Sequence, residues 1–364
     1  MAKENIKQVL PPFLITWSLT TRCNLKCKHC YSESSPEAGY DDLTTEEALK
    51  VIDEIADWGI GLLVFDGGEP LLREDFFQIA EYASSRGITT GIGSNGTMVD
   101  TATAKRLVSV GIRYASVSID GADADTHDTF RGEVGNFKKA LEAASVLKGA
   151  GLPFQFNTVI RKKTVPQVSD IFRMAIDYGA FGMELFDLLP VGRAKRECQD
   201  EVLTVKERQE IVEWLVQTQI GYPLSIETPS LPQYPLILKQ NVEEGIYPKH
   251  IPMEELARTA YYGRGCAAGR PRGYLVIRNN GELNPCIFLQ INLGNVKEKG
   301  IRQIWQESLV LAQLRNRDLL KGECGQCNYK DICAGCRARA YVQSGDMLAS
   351  DPGCWFISST FASG

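Results

Sequence analysis

Cys23, Cys27 and Cys30 fall within eight residues, in the stretch Thr21-Arg22-Cys23-Asn24-Leu25-Lys26-Cys27-Lys28-His29-Cys30-Tyr31. The spacing is C-x3-C-x2-C, directly after a run that reads as a β-strand. Three thiolates on one tight loop can hold three corners of a cubic iron–sulfur cluster and leave the fourth iron open to an outside ligand. A structural zinc ion would ask for a fourth Cys or His at suitable spacing, and His29 is too constrained between two of the cysteines to join them.

Seven more cysteines follow residue 265: Cys266, Cys286, Cys324, Cys327, Cys333, Cys336 and Cys354. Two close Cys pairs alone could form a zinc ribbon, but seven exceed one tetrahedral site and fall short of two. Cys198, after Lys195-Arg196-Glu197, stands apart and reads as an incidental exposed or half-buried thiol. Eleven cysteines in 364 residues lie far below the roughly 8–10% of a disulfide scaffold. The N-terminus MAKENIKQVLPPF is polar and broken by proline, so it is not a secretory signal. The expected compartment is therefore the reducing cytoplasm, where thiols bind metal or stay free. A net charge of -5 shows no basic excess, which speaks against nucleic acid, and no apolar run reaches membrane-spanning length.

The elements that must position these cysteines are α/β. Strand candidates at 13–19, 61–66, 88–94, 114–120, 154–160 and 182–189 alternate with helical periodicity at 44–58, 75–86, 100–110, 136–149 and 166–178. Leu43-Thr44-Thr45-Glu46-Glu47 supplies an N-cap and first-turn acid for the first helix. Six near-continuous apolar strands alternating with helices predict a partial (β/α)6 TIM-type barrel, with ligands at the C-terminal ends of its strands. The expected division is a barrel over 1–221, a Pro-rich linker over 222–261 and a cysteine-rich region over 262–364. A helix over 204–218 closes the first part, and a short helix near 301–315 interrupts the last. The tail carries too little apolar pattern for an ordinary core, so bound metal is expected to organise it.

C-x3-C-x2-C after the first strand, with His29 before the third Cys, resembles the radical S-adenosylmethionine (SAM) superfamily. The resemblance implies that Cys23, Cys27 and Cys30 bind a 4Fe-4S cluster whose open iron chelates SAM. Reductive cleavage then gives a 5'-deoxyadenosyl radical, which abstracts hydrogen from substrate. Successive strand ends carry short polar motifs in the matching order. Asp66-Gly67-Gly68-Glu69-Pro70 resembles the family's methionine-amine motif, with Glu69 for the ammonium and two glycines letting backbone approach the ligand. Ser94, Asn95, Ser118 and Asp120 fall where ribose or the SAM carboxylate would lie, and Arg131 is expected to pair that carboxylate. Asn157, Gly192 and Arg193 match positions used near ribose and adenine.

The late cysteines resemble the SPASM extension of radical SAM enzymes. Its interleaved ligation implies that Cys324, Cys327, Cys333 and Cys354 bind one closed auxiliary iron–sulfur cluster. Cys266, Cys286 and Cys336 would bind a second with an open position, because Tyr261-Tyr262-Gly263-Arg264-Gly265 lacks the further Cys of many relatives. One or two auxiliary clusters are thus expected. No acid follows Cys286 closely in Ile287-Phe288-Leu289-Gln290, which disfavours sulfatase maturation. Cys23 lies 22 residues from the start, which weakens a leader-binding peptide maturase.

Segments such as Gly265-Cys266-Ala267-Ala268-Gly269-Arg270 and Asn284-Pro285-Cys286-Ile287-Phe288 resemble the tetrapyrrole branch, that of Fe-coproporphyrin III decarboxylases and heme synthases. Arg264, Arg270 and Arg272 around Cys266 could serve as forks for propionates or form a solvated basic loop. The resemblance implies an oxidoreductase that decarboxylates tetrapyrrole propionates in heme biosynthesis, with a reductant such as flavodoxin or ferredoxin. A SPASM peptide maturase and a non-catalytic zinc or iron protein are the alternatives. The residues assign no catalytic acid or base.

Overall fold

The computed structural model describes residues 9–221, 224–245, 265–270 and 273–356. Strands β1 (Leu14–Thr20), β2 (Leu62–Gly67), β3 (Thr89–Ser94), β4 (Ile112–Ser118), β5 (Phe154–Ile160) and β6 (Gly182–Asp187) pair in sequence order, all parallel. They continue on one side into β7 (Ser225–Glu227) and on the other into β8 (Tyr274–Ile277), with β9 (Leu283–Asn284) antiparallel at the far edge. The sheet is an open partial barrel. Residues of both faces of β1 are buried, Ile15, Trp17 and Leu19 alternating with Thr16, Ser18 and Thr20, as a helix-covered parallel strand requires.

The helices follow the expected signals. Helix Thr45–Trp58 starts in a capping box, with Thr44 Oγ1 accepting from the Glu47 amide and Glu47 Oε2 accepting from the Thr44 amide. It buries Ala48, Val51, Ile52 and Ile55 and stops at Gly59 in the left-handed region.

Four features differ from the sequence expectation. Helix Ala124–Arg131 occupies a stretch to which the sequence pattern assigned no element. The Pro-rich 222–261 segment contributes β7 and helix Gln233–Glu243, because Pro235 sits in the first turn where its missing amide is not needed. The tail also has an ordinary core: Leu275, Ile277, Leu283, Leu289, Ile301, Trp305 and Leu311 join the cluster that holds β1 to β6. Metal therefore has only the cysteine-lined end left to organise. The expected helix at 301–315 is two helices, Ile301–Glu307 and Leu309–Arg315, divided at Ser308, whose hydroxyl caps the second.

Candidate active site

The loop after β1 is held by backbone from three directions. The Cys23 amide donates to the Ser35 carbonyl at 3.0 Å, the Gly68 amide to Thr20 at 2.7 Å and the Glu69 amide to Arg22 at 2.9 Å. Arg193 clamps the loop from the barrel's far side, giving Nη1 to the Cys27 carbonyl and Nη2 to the Ser34 carbonyl, each at 2.7 Å. Gly192 turns with φ +54° against the Cys30 and Tyr31 carbonyls.

Cys23, Cys27 and Cys30 line one pocket of about 150 Å³ together with His29, Gly67, Gly68, Ser94, Asn95, Ser118, Arg131 and Asn157. These are most of the residues assigned to SAM from the sequence. Glu69, Pro70, Asp120, Gly192 and Arg193 are not in that lining. Glu69 is fully buried behind it, its carboxylate accepting from Ser94 Oγ, the Asn95 amide and the Leu71 amide. Burial raises the Glu69 carboxyl to about 7, against the lowering effect of these donors. Pro70 opens the short turn behind Glu69. Asp120 accepts from Arg131 at 2.6 Å and from the Val159 amide at 2.7 Å. Arg131 thus already has a carboxylate partner, while its Nη1 lies 3.9 Å from Cys27 Sγ.

Gly67 and Gly68 line the pocket and are also packed tightly against backbone. A Cβ on Gly68 would stand 2.0 Å from the Arg22 carbonyl oxygen, and one on Gly67 2.4 Å from that of Thr20. The motif is glycine-rich because the β2 end packs against the backbone that carries the cysteines. Gly68→Ala is expected to displace that loop at roughly 1–3 kcal/mol. Thermal unfolding together with a lowered iron content after reconstitution would check it.

His29 stacks on Phe130 at 4.4 Å and 13°, and the Arg161 guanidinium lies 4.0 Å from the Phe130 ring centre. Burial pulls the imidazole down to about 3, so His29 is neutral, with its Nε2 3.8 Å from Asp120.

The donor sets fit iron–sulfur clusters. Burial raises Cys23 to about 12 and Cys27 to about 11, so the thiolates need a cationic partner to form. N–H groups already face the sulfurs: Leu25 amide to Cys23 at 3.4 Å and Ser34 amide to Cys30 at 3.3 Å. Among the described residues no three His, Cys, Asp or Glu side chains converge closely enough to hold a single metal ion.

The late cysteines separate into the two expected sets. Cys324, Cys327, Cys333 and Cys354 line one small cavity. The amides of Asp351, Tyr329 and Gly335 donate to Cys324, Cys327 and Cys333 at 3.3, 3.4 and 3.4 Å. Cys266, Cys286 and Cys336 line a different cavity of about 360 Å³. Cys336 also caps helix Arg337–Ser344, its sulfur accepting from the Arg339 amide, where the helix dipole favours a thiolate. Arg270 gives its guanidinium to the carbonyls of Cys266, Asp331 and Ile332, so it braces the cysteine loop; Arg264 and Arg272 lie outside the described residues. Cys198 is fully buried against Phe130, Leu188 and Ala194, and burial pushes its thiol up to about 11. It is a packing residue, not the half-exposed thiol expected.

The large cavity adjoins the first pocket through Asp66, Gly93, Ser116, Asn157, Phe186, Ile287 and Phe288. Its apolar walls include Leu14, Val64, Phe181, Phe186 and Phe288. Glu184 and Glu227 stand side by side in register on β6 and β7 and both line it. They carried no assignment from sequence. A charged residue inside the apolar run GMELFDLL was the available signal. Gln155 Nε2 donates to Glu184 at 3.2 Å, while burial raises both carboxyls; Tyr114 and Asp66 share the cavity.

Because the folded state holds these protons more tightly, stability of the metal-free chain is expected to fall as pH rises. The window runs from the ordinary 4.5 to about 7 for Glu227 and about 8 for Glu184. Replacing both by Gln should flatten that slope in unfolding measured across the window.

The family model for the radical SAM superfamily matches residues 17–175, and that for an iron–sulfur cluster-binding domain, SPASM, matches 266–337. The chain is 38% identical to an AdoMet-dependent heme synthase of Methanosarcina barkeri, over 94% of this chain and 96% of that protein. It is 29% identical to a pre-heme d1 synthase of Dinoroseobacter shibae, over 96% and 87%. Among solved structures, native anSMEcpe with bound AdoMet superposes with a TM-score of 0.71 at 20% identity, covering 97% of this chain and 96% of that one. Streptococcus suis SuiB bound to S-adenosylmethionine gives 0.70 at 16%, covering 94% and 77%; these two share the fold. The chain is a radical SAM enzyme with a C-terminal SPASM domain.

Proposed function

We propose that this chain converts propionate side chains of an iron-coproporphyrin to vinyl groups, in heme biosynthesis. The observation that carries the reading is the cavity of about 360 Å³ that opens off the SAM pocket and ends on Cys266, Cys286 and Cys336. Its similarity to the heme synthases over nearly the whole chain supports the substrate class. In this reading Cys23, Cys27 and Cys30 hold the 4Fe-4S cluster, and His29, Gly67, Gly68, Ser94, Asn95, Ser118, Arg131 and Asn157 surround SAM. Glu69, Pro70, Asp120, Gly192 and Arg193 hold those residues in place from behind. When bound, the cluster and SAM supply a 5'-deoxyadenosyl radical able to take a hydrogen atom from an unactivated carbon.

The chain's own part is positioning and exclusion of water. Phe186 and Phe288 meet edge to face at 5.9 Å where the two cavities join, and Phe288 meets Tyr31 of the first pocket at 6.1 Å. Apolar walls suit the face of a macrocycle. Removing one β-hydrogen atom and then carbon dioxide from a propionate leaves a vinyl group and one electron. The Cys266–Cys286–Cys336 set lies on the same cavity and is placed to hold an electron acceptor. A flavodoxin- or ferredoxin-type protein would supply the reducing electron. No helix among the described residues is long and apolar enough to cross a membrane, and eleven free cysteines support a reducing cytoplasmic setting.

The test is anaerobic reconstitution followed by incubation with SAM, dithionite and Fe-coproporphyrin III. The expected product is lighter by one carbon dioxide and two hydrogens per propionate, with 5'-deoxyadenosine formed alongside. SAM cleavage with no change in the porphyrin's mass would overturn the substrate and point to a peptide.

A further inference from the structure

Two arginines at the C-terminal cysteines are buried, and among the described residues neither forms an ion pair with a carboxylate, although the Arg337 charge reaches the Asp346 carboxylate. Arg337 is completely buried, and its acceptors are the carbonyls of Gly335, Met347 and Ala349 together with Cys324 Sγ at 3.5 Å. Arg317 is 9% exposed; Nη2 bonds the Cys266 carbonyl at 3.2 Å, and the buried Nη1 has no partner among the described residues. Its charge acts on the Cys266 and Cys333 sulfurs. Arg339, two residues on from Arg337, is by contrast paired with two aspartates. A buried cation normally demands a paired anion. The backbone is shaped to admit Arg337. Gly335 has φ +62°, and a Cβ there would stand 2.7 Å from Arg337 Nη2 and 3.2 Å from Cys324 Sγ.

We propose that Arg337 and Arg317 are fixed positive charges that make the auxiliary clusters better electron acceptors, Arg337 acting on the Cys324–Cys327–Cys333–Cys354 set and Arg317, between Cys266 and Cys333, on both sets. This rests on the reading that both sets bind clusters. A cluster held by several thiolates is anionic, and one further electron deepens that charge beside each guanidinium. The attraction is therefore larger in the reduced state than in the oxidised one, which raises the reduction potential. No atom moves: the electron is the one left when the substrate radical loses carbon dioxide, so the substrate is oxidised and the cluster reduced by one electron. Both arginines are positioning residues, since neither touches substrate.

The test is an electron paramagnetic resonance redox titration of the anaerobically reconstituted holoenzyme, with iron counted in each sample. Arg337→Gln, which keeps the shape and removes the charge, is expected to lower the reduced-to-oxidised ratio of its cluster at least about tenfold at fixed potential. That is about 59 mV for a one-electron couple. Arg337→Lys should restore most of the ratio, and the Cys23–Cys27–Cys30 signal should stay in place. Unchanged midpoints with full iron content would overturn the proposal. If Arg337→Gln does not retain its iron, Arg317→Gln decides, since that side chain holds only one carbonyl. A tenfold shift of either auxiliary signal supports the proposal, and no shift of either overturns it. Absence of auxiliary iron from the wild-type protein would instead sink the cluster reading on which it rests.

Discussion

Cys27→Ala is expected to abolish formation of 5'-deoxyadenosine from SAM while leaving the fold in place. Cys27 is buried and has no backbone role through its sulfur. Removing one buried sulfur should cost the metal-free chain on the order of 1 kcal/mol. The chemical effect is far larger, because a cubic cluster with three protein ligands that loses one has two irons without a side chain, and the open iron is no longer a defined site. Iron content should drop by about four atoms per chain, with the signals of the late cysteines preserved. Cys198→Ala is the matched control: it removes a buried thiol from a packing cluster and should leave SAM cleavage close to wild type. Loss of cleavage in Cys198→Ala, or its retention in Cys27→Ala, would contradict the ligand assignment. The burial that raises Cys23 and Cys27 adds a second readout. Loading must release protons from thiols that are neutral in the metal-free chain, so reconstitution should weaken as pH falls.

That Cys23, Cys27 and Cys30 share one pocket was legible because spacing within a loop is a local property. Six parallel strands were legible for a related reason: runs such as Leu14–Thr20 are buried on both faces and need no partner to be recognised. The late cysteines divided in space as the interleaved pattern implied. What sequence could not show depends on contacts between distant segments. Tyr274–Ile277 is four residues long, and nothing local says it pairs with β1. Glu69, expected to face a ligand, is turned inward by Ser94 and Asn95, residues on the next strand end. The Gly67-Gly68 requirement comes from the Arg22 and Thr20 carbonyls more than forty residues earlier. Glu184 and Glu227 become a pair only when β7 docks on β6.

Arg339→Ala is expected to uncouple the SPASM segment from the barrel and to have the largest effect on stability. Arg339 gives Nη1 to both oxygens of Asp351 at 2.9 Å and Nη2 to Asp187 at 2.7 Å and the Ser230 carbonyl at 2.6 Å. Asp187 ends β6 and is also held by Arg208 at 2.7 Å, while Asp351 accepts the Cys336 amide at 2.7 Å. Asp187 and Asp351 are both fully buried. The two arginines and two aspartates are mutually neutral, and they tie a barrel strand directly to the backbone of Cys336. Removing Arg339 leaves Asp187 with Arg208 but strands Asp351 as an unpaired charge, a loss of about 3–5 kcal/mol. Denaturant unfolding should show that loss, and the Cys266–Cys286–Cys336 iron should fall before the Cys23–Cys27–Cys30 iron does. The double variant Arg339→Met with Asp351→Asn removes the stranded charge and its partner together and leaves Asp187 paired with Arg208. It should therefore recover a substantial part of the stability, a coupling that independent sites would not show. If the double variant is as unstable as the sum of its parts, Arg339 acts by packing alone, and the charge network is not what joins the two regions.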